Sequence, residues 1–173
     1  AVASARAGNV IGGGDWGKGR LVPDIISFFE QGETAIIRKS EAIRPWQHVL
    51  EPLHGYLTLA EKLYKSGNEY AEAWNFGPDS NNPFSVRSIA EKMAQLWMEG
   101  AKWTEDRCDD LPESNYLNID SQKALERLNW SQRWDIEQSL RATIIWHKAY
   151  IRGENMRDII EKQIEDYARS TNI

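Results

Sequence analysis

The sequence predicts an α/β fold, because short β-compatible runs alternate with runs of helical period along its 173 residues. Turn-forming clusters of glycine, proline and asparagine separate these runs, and 41% hydrophobic with 27% charged residues, both signs interspersed, is the profile of a globular chain. The length suits one domain with a single core, or a slice of a larger unit.

The opening run from Val2 to Ala7 is small and β-compatible, and the turn-rich stretch Asn9 to Asp15 is expected to end it. From Leu21 to Gln31, Leu21, Val22, Ile25, Ile26, Phe28 and Phe29 fit one broad helical face, with Gly32 as the stop. Thr34 to Arg38 reads as a short strand, and Trp46 and His48 alternate about Gln47 in a β-like pattern. Pro52 suits a first helical position, and Leu53, Tyr56, Leu57, Ala60, Leu63 and Tyr64 follow at three and four spacing up to Ser66 and Gly67. Ala73 to Phe76 is a short strand, Gly77 to Pro83 is dense in turn formers, and Ser85 caps a helix from Val86 to Met98. Trp103 to Asn115 is polar and without period, apart from a strand around Trp103. Asp120 is placed to cap a helix through Leu128, Asp135 with Gln138 forms a capping box opening a helix toward Arg152, and Gly153 separates it from an amphipathic segment over Met156 to Tyr167.

Twenty-one basic against 26 acidic residues give a formal charge of -5, so no basic face is advertised for nucleic acid. The longest apolar run is far short of the roughly 20 residues a membrane-spanning helix needs. The start, Ala1 to Arg6, has neither an initiating Met nor the plan of a secretory signal and reads as the interior of a longer protein. The single Cys108 fits a reducing, cytoplasmic setting.

Gly12-Gly13-Gly14 lacks the Gly-Lys-Ser/Thr ending of a P-loop and the spaced glycines of a dinucleotide fingerprint, which favours a loop beside a pocket over a phosphate cradle. Arg20, Arg38 and Arg44 lie at predicted element edges, where a guanidinium can reach a phosphate in bidentate fashion. Two histidines six apart, His48 and His54, with His147 distant, give no zinc-type spacing, and no metal is expected. The eight tryptophans are expected mostly in core packing, and the Asp109-Asp110 pair in a solvated loop.

Several segments together resemble the C-terminal half of the sugar-nucleotide epimerases and dehydratases of the extended short-chain dehydrogenase/reductase class. They are Arg6-Ala7-Gly8-Asn9-Val10-Ile11-Gly12, Arg20-Leu21-Val22-Pro23, Ile43-Arg44-Pro45-Trp46-Gln47-His48-Val49 and Trp74-Asn75-Phe76-Gly77. Within that class the wording of the first and third, and of Trp146 to Glu154, is similar to the CDP-glucose 4,6-dehydratase subfamily. One departure is Leu111-Pro112-Glu113-Ser114, where the subfamily shows Pro-His-Glu-Ala, and Arg107 stands off register from an arginine of related dehydratases.

The resemblance implies the last strands of a Rossmann-type parallel sheet interleaved, over residues 1–173, with a smaller, mostly helical substrate-binding domain. It implies a CDP-glucose substrate, held by Asn9, Arg20 and Arg44 at the diphosphate, with Leu21 beside them, Ile37 and Arg38 near the base, and Asn75 near the nucleotide. It further implies NAD as cofactor, a homo-oligomer when intact, and a cytoplasmic role in deoxysugar synthesis for surface polysaccharide such as lipopolysaccharide O-antigen. In the family NAD takes hydride from C4, water leaves across C5 and C6, and hydride returns to C6, with a Tyr-x-x-x-Lys tyrosine as base. None of Tyr56, Tyr64, Tyr70, Tyr116, Tyr150 and Tyr167 has a lysine four residues on, and the glycine fingerprint is missing. No catalytic residue is therefore assigned, and these residues are expected to be inactive alone. Another nucleotide-sugar epimerase or dehydratase, or a non-catalytic nucleotide-sugar-binding module, are the alternatives.

Overall fold

The computed structural model describes residues 1–79, 83–106 and 114–170. The 80–82 part of the turn-rich run Gly77 to Pro83, Arg107, Cys108, Asp109-Asp110 and the Leu111 to Glu113 part of the departing loop lie outside them. The described chain is α/β, with β1 (Ser4–Ala7), β2 (Asn9–Ile11), α1 (Leu21–Glu30), β3 (Ala35–Arg38), β4 (Ile43–Arg44), β5 (Trp46–His48) and α2 (Leu50–Ser66) in its first part. A 3-10 turn, β6 (Ala73–Phe76), β7 (Phe84–Ser85), α3 (Val86–Trp97), β8 (Trp103–Asp106), α4 (Gln122–Leu128), α5 (Ile136–Ile151) and α6 (Met156–Arg169) follow.

The first strand ends at Ala7 as expected, but the turn-rich stretch that follows opens on a second strand. β1 runs parallel to β6, the chain passes through Gly8, and β2 then runs parallel to β5, with Asn9 opposite Trp46. The Gly8 amide still donates to the Phe76 carbonyl, whereas the Asn9 amide donates to the Pro45 carbonyl at 2.7 Å. A methyl carbon at Gly8 would stand 2.3 Å from that Pro45 oxygen, so only glycine lets the strand change partner this closely. β3 pairs in parallel with β8, and the short β4 and β7 pair antiparallel.

Helix α1 buries Val22, Ile25, Ile26 and Phe29, an i, i+3, i+4, i+7 stripe, and Gly32 follows at positive φ. These side chains share one core with Ile37, Trp46, Ile89, Met93 and Leu140, which joins α1, β3, β5, α3 and α5. A second core gathers Leu59, Trp74, Phe76, Leu128 and Trp130 from α2, β6, α4 and the loop after it. Helix α2 starts two residues earlier than Pro52 suggests; proline is tolerated at this third position because first-turn N–H groups have no intrahelical partner. The Ser85 cap and the Asp135–Gln138 capping box form as expected. α4 has Ser121 at its N-cap, and Asp120 accepts from the Gln122 amide instead.

Six of the eight tryptophans are buried, Trp46, Trp74, Trp97, Trp130, Trp134 and Trp146, which is the core-packing role. Three of them hand their indole N–H to an oxygen: Trp74 to Tyr70 O, Trp130 to Glu51 O and Trp134 to Ser170 Oγ. No helix of the described residues is long and apolar enough to cross a membrane.

Candidate functional site

Where β1 leaves β6 and β2 joins β5, a crevice opens outside the strand ends, the position at which open α/β sheets accommodate ligands. A cavity of about 670 Å³ lies there, walled by the loop after β2, the start of α1, the end of β3 with its turn, and β4. The topology brings Asn9, Arg20, Leu21, Ile37, Arg38 and Arg44 to this one cavity. Asn9 is the first residue after the partner change, so its backbone is pinned to Pro45 while its side chain is half-buried at the wall. Arg44, one residue before Pro45, directs Nη1 to the Ile43 carbonyl at 2.8 Å and is also half-buried.

Asn75 is in a different place. Its Oδ1 accepts from Arg6 Nε at 3.2 Å, its Nδ2 donates to the Asp120 carbonyl at 2.9 Å, and it does not line the cavity.

Arg20, Arg38, Lys39 and Arg44 face two carboxylates, Asp15 and Asp24, around the cavity. Asp15 is engaged by Arg20 at 3.0 Å and by the Gly17 amide, and Asp24 accepts from the Gly19 amide. The balance is cationic in a chain that is acidic overall, so an anion is held locally rather than by the global field. One wall is apolar, formed by Val22, Ile25, Ile37, Ala42 and Val86. A cavity with an apolar slot and guanidinium groups suits a flat organic ring carrying a phosphate or diphosphate.

Strand β5 carries a further signal. Trp46 Nε1, Gln47 Oε1 and His48 Nε2 are buried on three consecutive residues and have no hydrogen-bond partner among the described residues. Trp46 walls both this cavity and a neighbouring one of about 590 Å³, and Arg44 is likewise shared. Burial holds His48 at a pKa of about 4, so its ring is neutral, and its Nδ1 accepts from the Leu50 amide. Gln47 Nε2 donates to the Phe76 carbonyl at 2.7 Å, bridging β5 and the end of β6 across the split.

The glycine run packs rather than cradles. A methyl carbon at Gly13 would stand 2.0 Å from Trp146 Cγ, so this backbone is pressed on an indole face and is not open to a phosphate. Trp16, Trp146, His147 and Tyr150 continue that contact as an aromatic cluster. Sequence reasoning missed Lys39, Asp15 and the bridging Gln47. Their local patterns are those of ordinary loop and strand residues, and only the fold brings them to the crevice.

No family model matches the chain. It is 47% identical over 170 residues, 98% of its length, to the CDP-glucose 4,6-dehydratase of Salmonella typhimurium, and spans 47% of that enzyme. A UDP-glucuronic acid 4-epimerase from Bacillus cereus, in complex with a fluorinated UDP-glucuronic acid and NAD, superposes with a TM-score of 0.72 at 17% identity, covering 86% of this chain and 45% of the epimerase. The UDP-glucose 4-epimerase of Thermotoga maritima gives 0.68 at 21% identity, covering 86% of this chain and 46% of the epimerase. The dTDP-glucose 4,6-dehydratase of Bacillus anthracis, in complex with NAD, gives 0.65 at 17%, covering 85% and 44%. The fold is that of these Rossmann-type proteins, and the chain spans about half their length.

Proposed function

We propose that this chain, a member of the extended short-chain dehydrogenase/reductase family of sugar-nucleotide dehydratases and epimerases, is the substrate-binding half of an NAD-dependent, cytoplasmic CDP-glucose 4,6-dehydratase. The observation that carries the reading is the cationic cavity at the strand switch, lined by Asn9, Arg20, Leu21, Ile37, Arg38 and Arg44. The nucleotide assignment follows the name of the 47% identical relative.

In this reading Arg44 and Arg20 grip the diphosphate by charge-assisted hydrogen bonds and Asn9 adds a side-chain amide. The base lies on the Ile37 and Val22 wall. Contacts remote from the reacting carbons orient the hexose, and their binding energy is used to position it. The dinucleotide, when bound in the family's enzymes, supplies hydride exchange. Nothing among the described residues fits it, since the only glycine run is filled by Trp146 and no Tyr-x-x-x-Lys pair exists in the sequence. No chemical step is therefore assigned to these 173 residues.

Calorimetric titration of the chain with CDP-glucose, against UDP-, dTDP- and GDP-glucose, tests the reading. CDP-glucose is expected to bind preferentially, and no 4-keto-6-deoxy product is expected from this chain with NAD. Arg44→Gln is expected to weaken binding by about ten- to a hundredfold, the loss of one or two charge-assisted hydrogen bonds. Preference for another nucleotide would keep the family and remove the CDP assignment, and turnover by these residues alone would overturn the division of labour.

A further inference from the structure

We infer that Trp16 is a positioning residue of the cavity: its indole pins the glycine loop to α5 and, through Asp15, sets the Arg20 guanidinium where it meets a phosphate. This rests on the nucleotide-sugar reading and deepens it, naming what holds one of its phosphate ligands in place.

Five of the eight residues from Gly12 to Gly19 are glycine, and two of these, Gly14 and Gly19, stand at positive φ of 78° and 76°. A backbone with that much freedom does not hold a shape by itself. Among the other three, Asp15, Trp16 and Lys18, only the tryptophan carries a large apolar surface. Trp16 is 54% exposed and so departs from the core-packing role of the six buried tryptophans. Its ring is seated on α5 instead, with centroids 5.1 Å from His147, 5.1 Å from Tyr150 and 6.1 Å from Trp146. Trp146 also meets the backbone at Gly13 and Gly14. That platform is fixed, because Trp146 is buried and Leu140 and Ile144 of the same helix belong to the main core.

The residue before the indole faces the cavity. Both Asp15 carboxylate oxygens accept from Arg20 Nη1, at 3.2 and 3.0 Å, and Oδ1 also accepts from the Gly17 amide at 3.0 Å. A methyl carbon at Gly17 would stand 2.9 Å from Arg20 Cδ, so the arginine stem lies against the loop backbone. The Arg20 side chain is 68% exposed, and an ion pair that open to water holds little by itself. What places Arg20 is therefore the loop, and what places the loop is the indole. Asp15, Gly19 and Arg20 line the cavity and Trp16 does not, so Trp16 acts on a ligand only through them. A guanidinium ordered before the ligand arrives loses less freedom on binding, which appears as affinity.

The test is calorimetric titration of the chain and its variants with CDP, together with their melting temperatures. Trp16→Ala is expected to weaken CDP binding about tenfold with only a small change in Tm, and Trp16→Phe, which keeps a ring on the platform, to recover most of the loss. Hydrogen exchange at the Gly17 amide is expected to quicken in the alanine variant while exchange in the core strands does not. In an Arg20→Gln background Trp16→Ala is expected to cost no further affinity. Tyr150→Leu takes one ring from the platform without touching the loop and is expected to weaken CDP binding in the same direction, which keeps the inference open to test should Trp16→Ala not fold. Unchanged affinity in Trp16→Ala, or in Tyr150→Leu should the former not fold, would overturn the inference, as would the same loss with and without Arg20. If the unaltered chain bound no CDP, or Arg20→Gln bound it equally well, the nucleotide-sugar reading would fail at this residue, and this inference with it.

Discussion

Glu51→Ala is expected to lower the unfolding free energy of this chain by at least about 3 kcal/mol, the cost of stranding several buried partners at once. Glu51 is fully buried at the start of α2, and its carboxylate accepts from the backbone amides of Arg133 and Trp134 and from the Tyr167 hydroxyl at 2.8 Å. It thereby ties α2 to the loop before α5 and to the C-terminal helix. The Arg133 guanidinium lies 5.3 Å over the Tyr167 ring and 3.4 Å from His54 Nε2, and its charge acts on the Glu51 carboxylate, so alanine would also remove that negative charge from beside a half-buried cation. Glu51→Gln keeps one carbonyl oxygen for the two amides and loses only part of the set, so its cost is expected to be less than half as large. Equilibrium urea denaturation of the three proteins measures both, and an alanine variant within 1 kcal/mol of the unaltered chain would sink the idea.

The same carboxyl gives a pH signature. Burial raises the Glu51 pKa above its ordinary value, against the opposing pull of its hydrogen bonds to Trp134, Tyr167 and Arg133. Its folded pKa exceeds its unfolded one, so its contribution is complete below the ordinary carboxyl range and is lost as pH rises through the folded value. The Glu51→Gln variant should lack that segment of the stability profile, and the difference in unfolding free energy between the two proteins should change with the same sign across it.

How much of this could be read from the sequence depends on how far each feature reaches along the chain. Helices α1 and α3 and the capping box of α5 are set by residues three and four apart, and they stand within a residue or two of the positions that pattern indicates. The arginine segment around Arg44 was legible as a resemblance, and the cavity gathers it with Asn9 and Arg20. Non-local features were not legible. Glu51 looks like an ordinary first-turn acid, yet its partners are more than 80 residues away. Gly13 looks like a flexible loop residue, but its neighbour is Trp146. Asn75 is engaged by Arg6 through the register of two parallel strands, which no local period encodes. Strands of two residues, such as β4 and β7, are too short to show a period at all.

Gly8→Ala is the second large effect expected, and it links stability to the site. A methyl carbon there meets the Pro45 carbonyl oxygen at 2.3 Å and the Pro45 ring carbons at 3.1 and 3.2 Å. The first obstacle is backbone, so no side-chain rotation relieves it, and β2 has to move away from β5. That movement breaks the 2.7 Å bond from the Asn9 amide to Pro45 and draws Asn9 away from Arg44, two walls of the same cavity. Overpacking of this kind costs about 1–3 kcal/mol, and the lost strand hydrogen bond adds to it, so about 3 kcal/mol or more is expected. Affinity for CDP-glucose in the remaining folded fraction is expected to fall about tenfold. Gly32→Ala separates the causes: Gly32 has positive φ of 68° but nothing within 4 Å of the added carbon, and it lies outside the cavity. Its cost should be backbone strain alone, about 1 kcal/mol, with affinity unchanged. If both variants lost stability equally and neither lost affinity, the partner change at Gly8 would be a packing detail, and the crevice would owe its shape to the loops around it.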